Sequence, residues 1–173
     1  LPHPSTIAFS AAISATEKAL RWDMALHLLQ QMCQLRLMSV VSLNAAISAC
    51  EKCGEWRHAM LLLQDLDSLT LEADVISFSS AISAASKEQW AIALNLLQRL
   101  RRSQVRPNVI IYNAALCACT TASQHDAALQ LFKTLSSDVV APDVVTYCSI
   151  ASVVGIDRCC LLDIMDTVQR LSC

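Results

Sequence analysis

Glycine is almost missing from this chain. It occurs twice in 173 residues, at Gly54 and Gly155, and proline occurs four times. Scarce glycine beside abundant Ala and Leu argues for helices joined by brief connections rather than for sheets. Charge is scarce too: charged residues make up 16% of the sequence, below the roughly 25% of ordinary soluble domains. Apolar residues reach 54%, too much surface to hide for a disordered chain. No apolar run approaches the ~18 residues of a membrane span. The nearest candidates are cut by polar groups, as Gln64 and Asp65 cut AMLLLQDL. The expectation is a soluble protein with no membrane partner.

A basic surplus is also lacking. Lys and Arg number 13 against 15 Asp and Glu, for a net charge of −2. Nucleic-acid binders usually carry excess positive charge, so any such function must rest on where the cations sit. No Gly-rich phosphate loop, nucleophile elbow or paired-carboxylate constellation is present. Asp163 and Asp166 share a helix face, which reads as solvated surface. The chain is therefore expected not to be an enzyme, and to need no cofactor or small-molecule substrate. Nor is a metal expected. Cys50-Glu51-Lys52-Cys53 has the C-x-x-C spacing but no second pair nearby, Cys117 and Cys119 are too close, Cys159 and Cys160 are adjacent, and His3, His27, His58 and His125 are scattered. The nine cysteines are odd in number. Cys50 and Cys119 fall in a slot that holds Thr16 and Ala85 elsewhere, so they read as small buried residues of a reduced, intracellular or organellar protein. LPHPSTIAF has no charged start followed by an apolar stretch, which suggests a removed targeting signal or an excised piece.

What the chain has in abundance is itself. SAAISATEK (residues 10–18) returns as NAAISACEK (44–52), SSAISAASK (79–87) and NAALCACTT (113–121). Units begin at Thr6, Val40, Val75, Val109 and Val144, spaced by 34, 35, 34 and 35 residues. They divide the array into 6–39, 40–74, 75–108, 109–143 and a partial 144–173, with 1–5 the end of a preceding linker or repeat. Within each unit the first segment carries an apolar stripe at i, i+3, i+4, i+7. In the four complete units it reads Phe9, Ala12, Ile13, Thr16; Leu43, Ala46, Ile47, Cys50; Phe78, Ala81, Ile82, Ala85; and Tyr112, Ala115, Leu116, Cys119. In the second unit this predicts a helix from Ser42 to about Lys52. A second stripe follows: Ala59, Leu62, Leu63, Leu66, then Ala93, Leu96, Leu97, Leu100, then Ala128, Leu131, Phe132, Leu135. Gly54 marks the turn between the two helices, and the third unit is one residue shorter there. Val105-Arg106-Pro107-Asn108 and Val140-Ala141-Pro142-Asp143 separate units. Hairpins that cannot bury their apolar faces alone must stack. The predicted fold is all-α, a right-handed α-solenoid. Neither end carries a polar capping helix, so the natural protein is expected to be longer.

The opposite face of each first helix repeats as well. Val41, Asn44, Ser48 and Lys52 align along one side, as do Ile7, Ser10, Ser14 and Lys18, and Ile76, Ser79, Ser83 and Lys87. The fourth unit keeps Ile110 and Asn113 but has Thr121 in the lysine slot. Stacked, these stripes form one surface with an aliphatic, a small hydrogen-bonding residue and a cation per unit. Such a surface suits single-stranded nucleic acid: the aliphatic packs on a base, Asn or Ser bonds its edge, and Lys meets a phosphate. Asn and Ser near a helix start also serve as caps, and Lys near a helix end also answers the dipole. A peptide-binding scaffold is the rival reading.

VVSLNAAISACEKCGEW, VIIYNAALCACTTA and the unit ends VRPN and VAPD resemble the pentatricopeptide repeats of organellar RNA-binding proteins, over about residues 6–173. Tetratricopeptide hairpins of 34 residues carry their Trp in the first helix, whereas Trp22, Trp56 and Trp90 open the second helix here. The resemblance implies single-stranded RNA as partner, one base per repeat, and an organellar location, mitochondrion or chloroplast. It leaves room for other proteins on the solenoid surface. It implies that the fifth residue and the last residue of a unit choose the base, while second-slot aliphatics of neighbouring units sandwich it. On that basis Asn44 with Asp74 prefers uracil, Ser79 with Asn108 adenine, and Asn113 with Asp143 uracil, a U-A-U core. Ser10 with Ser39 gives no clear base, and Cys148 in the fifth unit none. The sandwich residues would be Ile7, Val41, Ile76, Ile110 and Val145, and the phosphate contacts Lys18, Lys52 and Lys87.

Overall fold

The first helix of each hairpin begins immediately after a residue able to cap it. In the computed structural model, which describes residues 5–103, 105–138 and 140–154, these helices are α1 (Thr6–Lys18), α3 (Val40–Cys53), α5 (Val75–Ser86), α7 (Val109–Thr121) and α9 (Val144–Val154). Ser5, Ser39, Asp74, Asn108 and Asp143 each accept the backbone N–H three residues on, at 2.9 to 3.2 Å. That bond satisfies a donor that helix geometry leaves orphaned. At Ser39, Asp74 and Asp143 the bond is returned, because the hydroxyls of Ser42, Ser77 and Thr146 accept from the backbone N–H of the capping residue. The second unit's helix therefore starts at Val40, two residues before Ser42. The apolar stripe marks the buried face, and the cap marks the end.

The second helices are α2 (Trp22–Gln34), α4 (Trp56–Ser68), α6 (Trp90–Arg102) and α8 (His125–Ser137). None has a side-chain cap; burial holds them instead. Ala59, Leu62, Leu63 and Leu66 are buried, as are Ala93, Leu96, Leu97 and Leu100, and Ala128, Leu131 and Leu135. Phe132 is only half-buried. Leu20, Gly54 and Ser123 make the turns of the first, second and fourth hairpins at φ of 53°, 78° and 54°. The third hairpin lacks that residue, and Lys87 closes α5 at φ −76°.

Stacking follows from which residues are small. Each inner first helix packs against the first helices on both sides, and each second helix packs against its own first helix and the next one. Ala46, Ala49, Ala81, Ala84, Ala115 and Ala118 are at most 1% exposed, and their size lets the first helices approach closely. Neighbouring second helices meet only through side chains, such as Trp22 against His58 (ring centroids 4.6 Å apart) and Arg99 with Asp67. The stack is thus tight along the first helices and looser along the second. One hydrophobic cluster runs from Phe9 to Leu135. Among the described residues all regular structure is helical and no helix is long and apolar enough to cross a membrane. His3, Asp163, Asp166, Cys159 and Cys160 lie outside them.

Candidate nucleic-acid interface

The second residue of every first helix is an uncovered aliphatic side chain. Ile7, Val41, Ile76, Ile110 and Val145 are 81%, 67%, 60%, 63% and 56% exposed. They belong to neither apolar stripe and make no core. Five water-exposed aliphatics at one repeated slot form an apolar line along the inner row of helices, with roughly 25 cal/mol to gain per Å² later covered.

Three residues further along each helix the polar slots differ from one unit to the next. Asn44 Nδ2 donates to both carboxylate oxygens of Asp74, at 3.1 and 3.3 Å. Asn113 Nδ2 does the same to Asp143, at 2.9 and 3.1 Å. Thus the fifth and last residues of the second and fourth units meet as a hydrogen-bonded pair. Ser79 and Asn108 are not bonded to each other; the Asn108 Oδ1 accepts from the Ile111 N–H at 3.0 Å, which leaves its amide N–H groups free of that bond. Ser10 and Ser39 are also separate, since Ser39 is engaged with Ser42. Capping belongs to the unit-final residues. Asn44, Ser79 and Asn113 stand five residues into their helices and cap nothing.

A third group, which the sequence reading passed over, completes each Asn–Asp pair. The Ser77 hydroxyl lies 2.6 Å from Asn44 Oδ1, and the Thr146 hydroxyl 2.6 Å from Asn113 Oδ1. Both residues are fully buried. Their recurrence at the third slot, as Ser42, Ser77 and Thr146 with Ala8 and Ile111 as the exceptions, was the available signal. A lone Ser beside a helix start looks like solvent-facing surface until the preceding hairpin is placed over it.

Burial by itself would raise the Asp74 carboxyl, but bonds from the Ser77 N–H and hydroxyl, the Asn44 amide and the Ile76 N–H outweigh it and hold it below its ordinary value. Asp143 is lowered in the same way, burial being opposed by the Thr146 N–H, Asn113, the Thr146 hydroxyl and the Val145 N–H. Both carboxyls are therefore charged acceptors at neutral pH.

The lysine slot is uneven. Lys18 and Lys87 are exposed, but Lys52 Nζ lies 2.6 Å from Glu17 Oε1 of the preceding unit, which the Ser48 hydroxyl also reaches at 2.8 Å. Burial opposes ionisation of Glu17, yet these bonds and the nearby Lys52 and Lys18 charges leave its carboxyl lowered. Lys52 is thus a neutralised cation, unlike the free one the sequence suggested. The cysteine slot is buried at Cys50 and Cys119, and burial pushes the Cys50 thiol up to about 12. Among the described residues no group of three or more His, Cys, Asp or Glu could hold a metal ion.

Three profiles match this geometry's repeat. The PPR repeat matches residues 41–69, the pentatricopeptide repeat domain residues 61–121 and the PPR repeat family residues 107–153, together residues 41–153. The chain belongs to the pentatricopeptide repeat family. Solved structures of the family share the fold. PPR10 in complex with an 18-nt psaJ RNA element superposes with a TM-score of 0.75 at 23% identity, over 94% of this chain and 24% of that one. PPR10 from maize gives 0.74 at 19%, over 96% and 25%. The pentatricopeptide domain of Arabidopsis thaliana protein-only RNase P 1, in complex with tRNA, gives 0.76 at 15%, over 93% of this chain and 86% of that one. The chain spans about a quarter of the length of PPR10. No curated protein sequence matches it.

Proposed function

We propose that this chain binds single-stranded RNA sequence-selectively, one base per hairpin, as a non-catalytic part of RNA processing, stability or editing in an organelle. The observation that carries this reading is the pairing of Asn44 with Asp74 and of Asn113 with Asp143 beside a line of exposed aliphatics. Each pair keeps one amide N–H and one carboxylate oxygen available to a ligand. Uracil set with O4 on the amide N–H places its N3–H on the carboxylate. Cytosine in that orientation sets an amino group against a donor and a ring lone pair against a carboxylate, and mismatched polar edges of this kind are costly. Between them, Ser79 and Asn108 offer an unbonded hydroxyl and a free amide N–H, which suit the N6 amine and N1 acceptor of adenine. The core reads 5′-U-A-U-3′ on the family's parallel polarity. The RNA-bound relatives PPR10 and RNase P 1 support RNA as the ligand class.

The test is a panel of single-stranded RNAs varied over all three-base cores, titrated by fluorescence anisotropy at several salt concentrations. The U-A-U core should bind best, affinity should fall with added salt, and Asn44→Ala should cost about 1–3 kcal/mol at one base. Equal binding of scrambled cores refutes the base assignment. No salt dependence, together with binding to peptides, moves the chain to the scaffold reading. An Asn44→Ala variant that loses affinity equally for every RNA removes Asn44 from base selection.

A further inference from the structure

Ser77 and Thr146 are fully buried polar side chains to which the two-residue base reading gives no part. Buried hydroxyls need partners, and here the partners are the base-reading groups. Ser77 Oγ accepts from the Asp74 N–H at 3.2 Å and lies 2.6 Å from Asn44 Oδ1 and 3.0 Å from Asp74 Oδ1. A hydroxyl has one proton, and the shortest contact takes it, toward Asn44 Oδ1. The Asn44 amide N–H then donates to the Asp74 carboxylate. Every donor in this closed ring meets an acceptor. Rotating the Asn44 amide by half a turn would set its carbonyl oxygen against the carboxylate and take from it the hydroxyl proton, so the contacts to Asp74 and Ser77 favour the same orientation. Thr146 repeats the ring around Asn113 and Asp143, at 3.2 Å from the Asp143 N–H, 2.6 Å from Asn113 Oδ1 and 2.9 Å from Asp143 Oδ1. At the junction of the third and fourth hairpins the same position is Ile111, and there no ring forms.

We propose that the buried hydroxyl at the third position of a hairpin is a positioning residue that determines base specificity for the hairpin before it. It consumes the Asn oxygen and turns the remaining amide N–H toward the ligand, and so sets that site for a keto–imino base edge, uracil over cytosine. The reading of one base is thereby completed across the boundary between two hairpins. This inference rests on the RNA-binding function proposed above. Without the hydroxyl, the Asn oxygen loses its donor, and the Asp carboxylate alone opposes the flipped form, which would accept from the cytosine amine.

The experiment is a uracil-against-cytosine comparison at each of two positions, with the full chain and single-stranded RNA in fluorescence anisotropy. The parent should prefer uracil by about tenfold or more at both. Ser77→Ala should lower that ratio by about threefold or more at the base of the second hairpin only, leaving the fourth hairpin's ratio as an internal control. Ser77→Thr should restore it, as Thr146 serves naturally. Thr146→Val, nearly the same shape, should move the loss to the fourth hairpin, and it carries the test if Ser77→Ala fails to fold. An unchanged ratio in either alanine or valine variant overturns the proposal, as does an equal loss at both positions. A parent chain that binds RNA with no preference anywhere overturns the base reading itself, and a parent that binds no RNA overturns the proposed function.

Discussion

Truncating Ile76 to Ala separates binding from folding with unusual clarity. The side chain is 60% exposed, so its removal takes little from the core, and the unfolding midpoint should stay within the range of ordinary surface changes, about 0.5 kcal/mol. Fully burying an Ile contributes roughly 1.5–3 kcal/mol. The exposed share is what a stacked base could still cover, so the loss on binding should be about 1–2 kcal/mol, or about 5–30-fold in Kd. The assay is anisotropy on an RNA carrying the U-A-U core, with circular dichroism melting as the control. If Ile76 and Ile110 sandwich one base, as the family resemblance implies, the double variant should lose less than the sum of the singles. Ile7 and Ile110, three units apart, should add. An Ile76→Ala chain that binds as tightly as its parent refutes the sandwich, and strict additivity of Ile76 with Ile110 refutes their sharing a base.

Other perturbations follow from the same geometry. Gly54→Ala should destabilise the fold by about 1 kcal/mol in urea unfolding; an added Cβ meets nothing within 4 Å, so the cost is that of the left-handed backbone alone. Glu17→Gln releases Lys52, and if the freed amine reaches a phosphate, the slope of log affinity against log salt should steepen by about 0.7; an unchanged slope removes Lys52 from the phosphate set. Asp74 and Asp143 are lowered in the folded chain, so the stability they supply is complete above the unfolded value of about 4 and is lost as pH falls through the lowered one. Melting temperature against pH should drop in that acid range, and Asp74→Asn should flatten the drop.

The stacked hairpins could be read from residues because their apolar stripes recur in register. Ala46, Ile47 and Cys50 announce a buried face, and Leu62, Leu63 and Leu66 announce its partner. Two things were hidden. Ala49, Ala84 and Ala118 are as deeply buried as the stripe because inner helices are covered by a hairpin on each side, whereas an amphipathic pattern reveals only the face toward a helix's own partner. The site was half legible for a related reason. Asn44 and Asp74 stand apart in sequence, and the family's pattern joins them. Ser77 needed the structure, since its role depends on a hydroxyl reaching back across a boundary. Lys52 was legible only as a charge, because a sequence does not show that Glu17 of the preceding unit pairs with it.

Hairpins held together mainly along one side have an uneven stiffness. Alanine contacts fix the distance between adjacent first helices, and close packing resists change there. On the far side, α2, α4, α6 and α8 are linked to one another by side-chain latches such as Arg99 with Asp67 and Trp22 against His58, which cost little to open. A fanning of the second helices about the first-helix spine is therefore the motion that contacts within the second-helix row oppose least. Curvature changes in that motion, and the step from one polar slot to the next does not. A flexible strand lying along the spine would keep its count while the array bent around it.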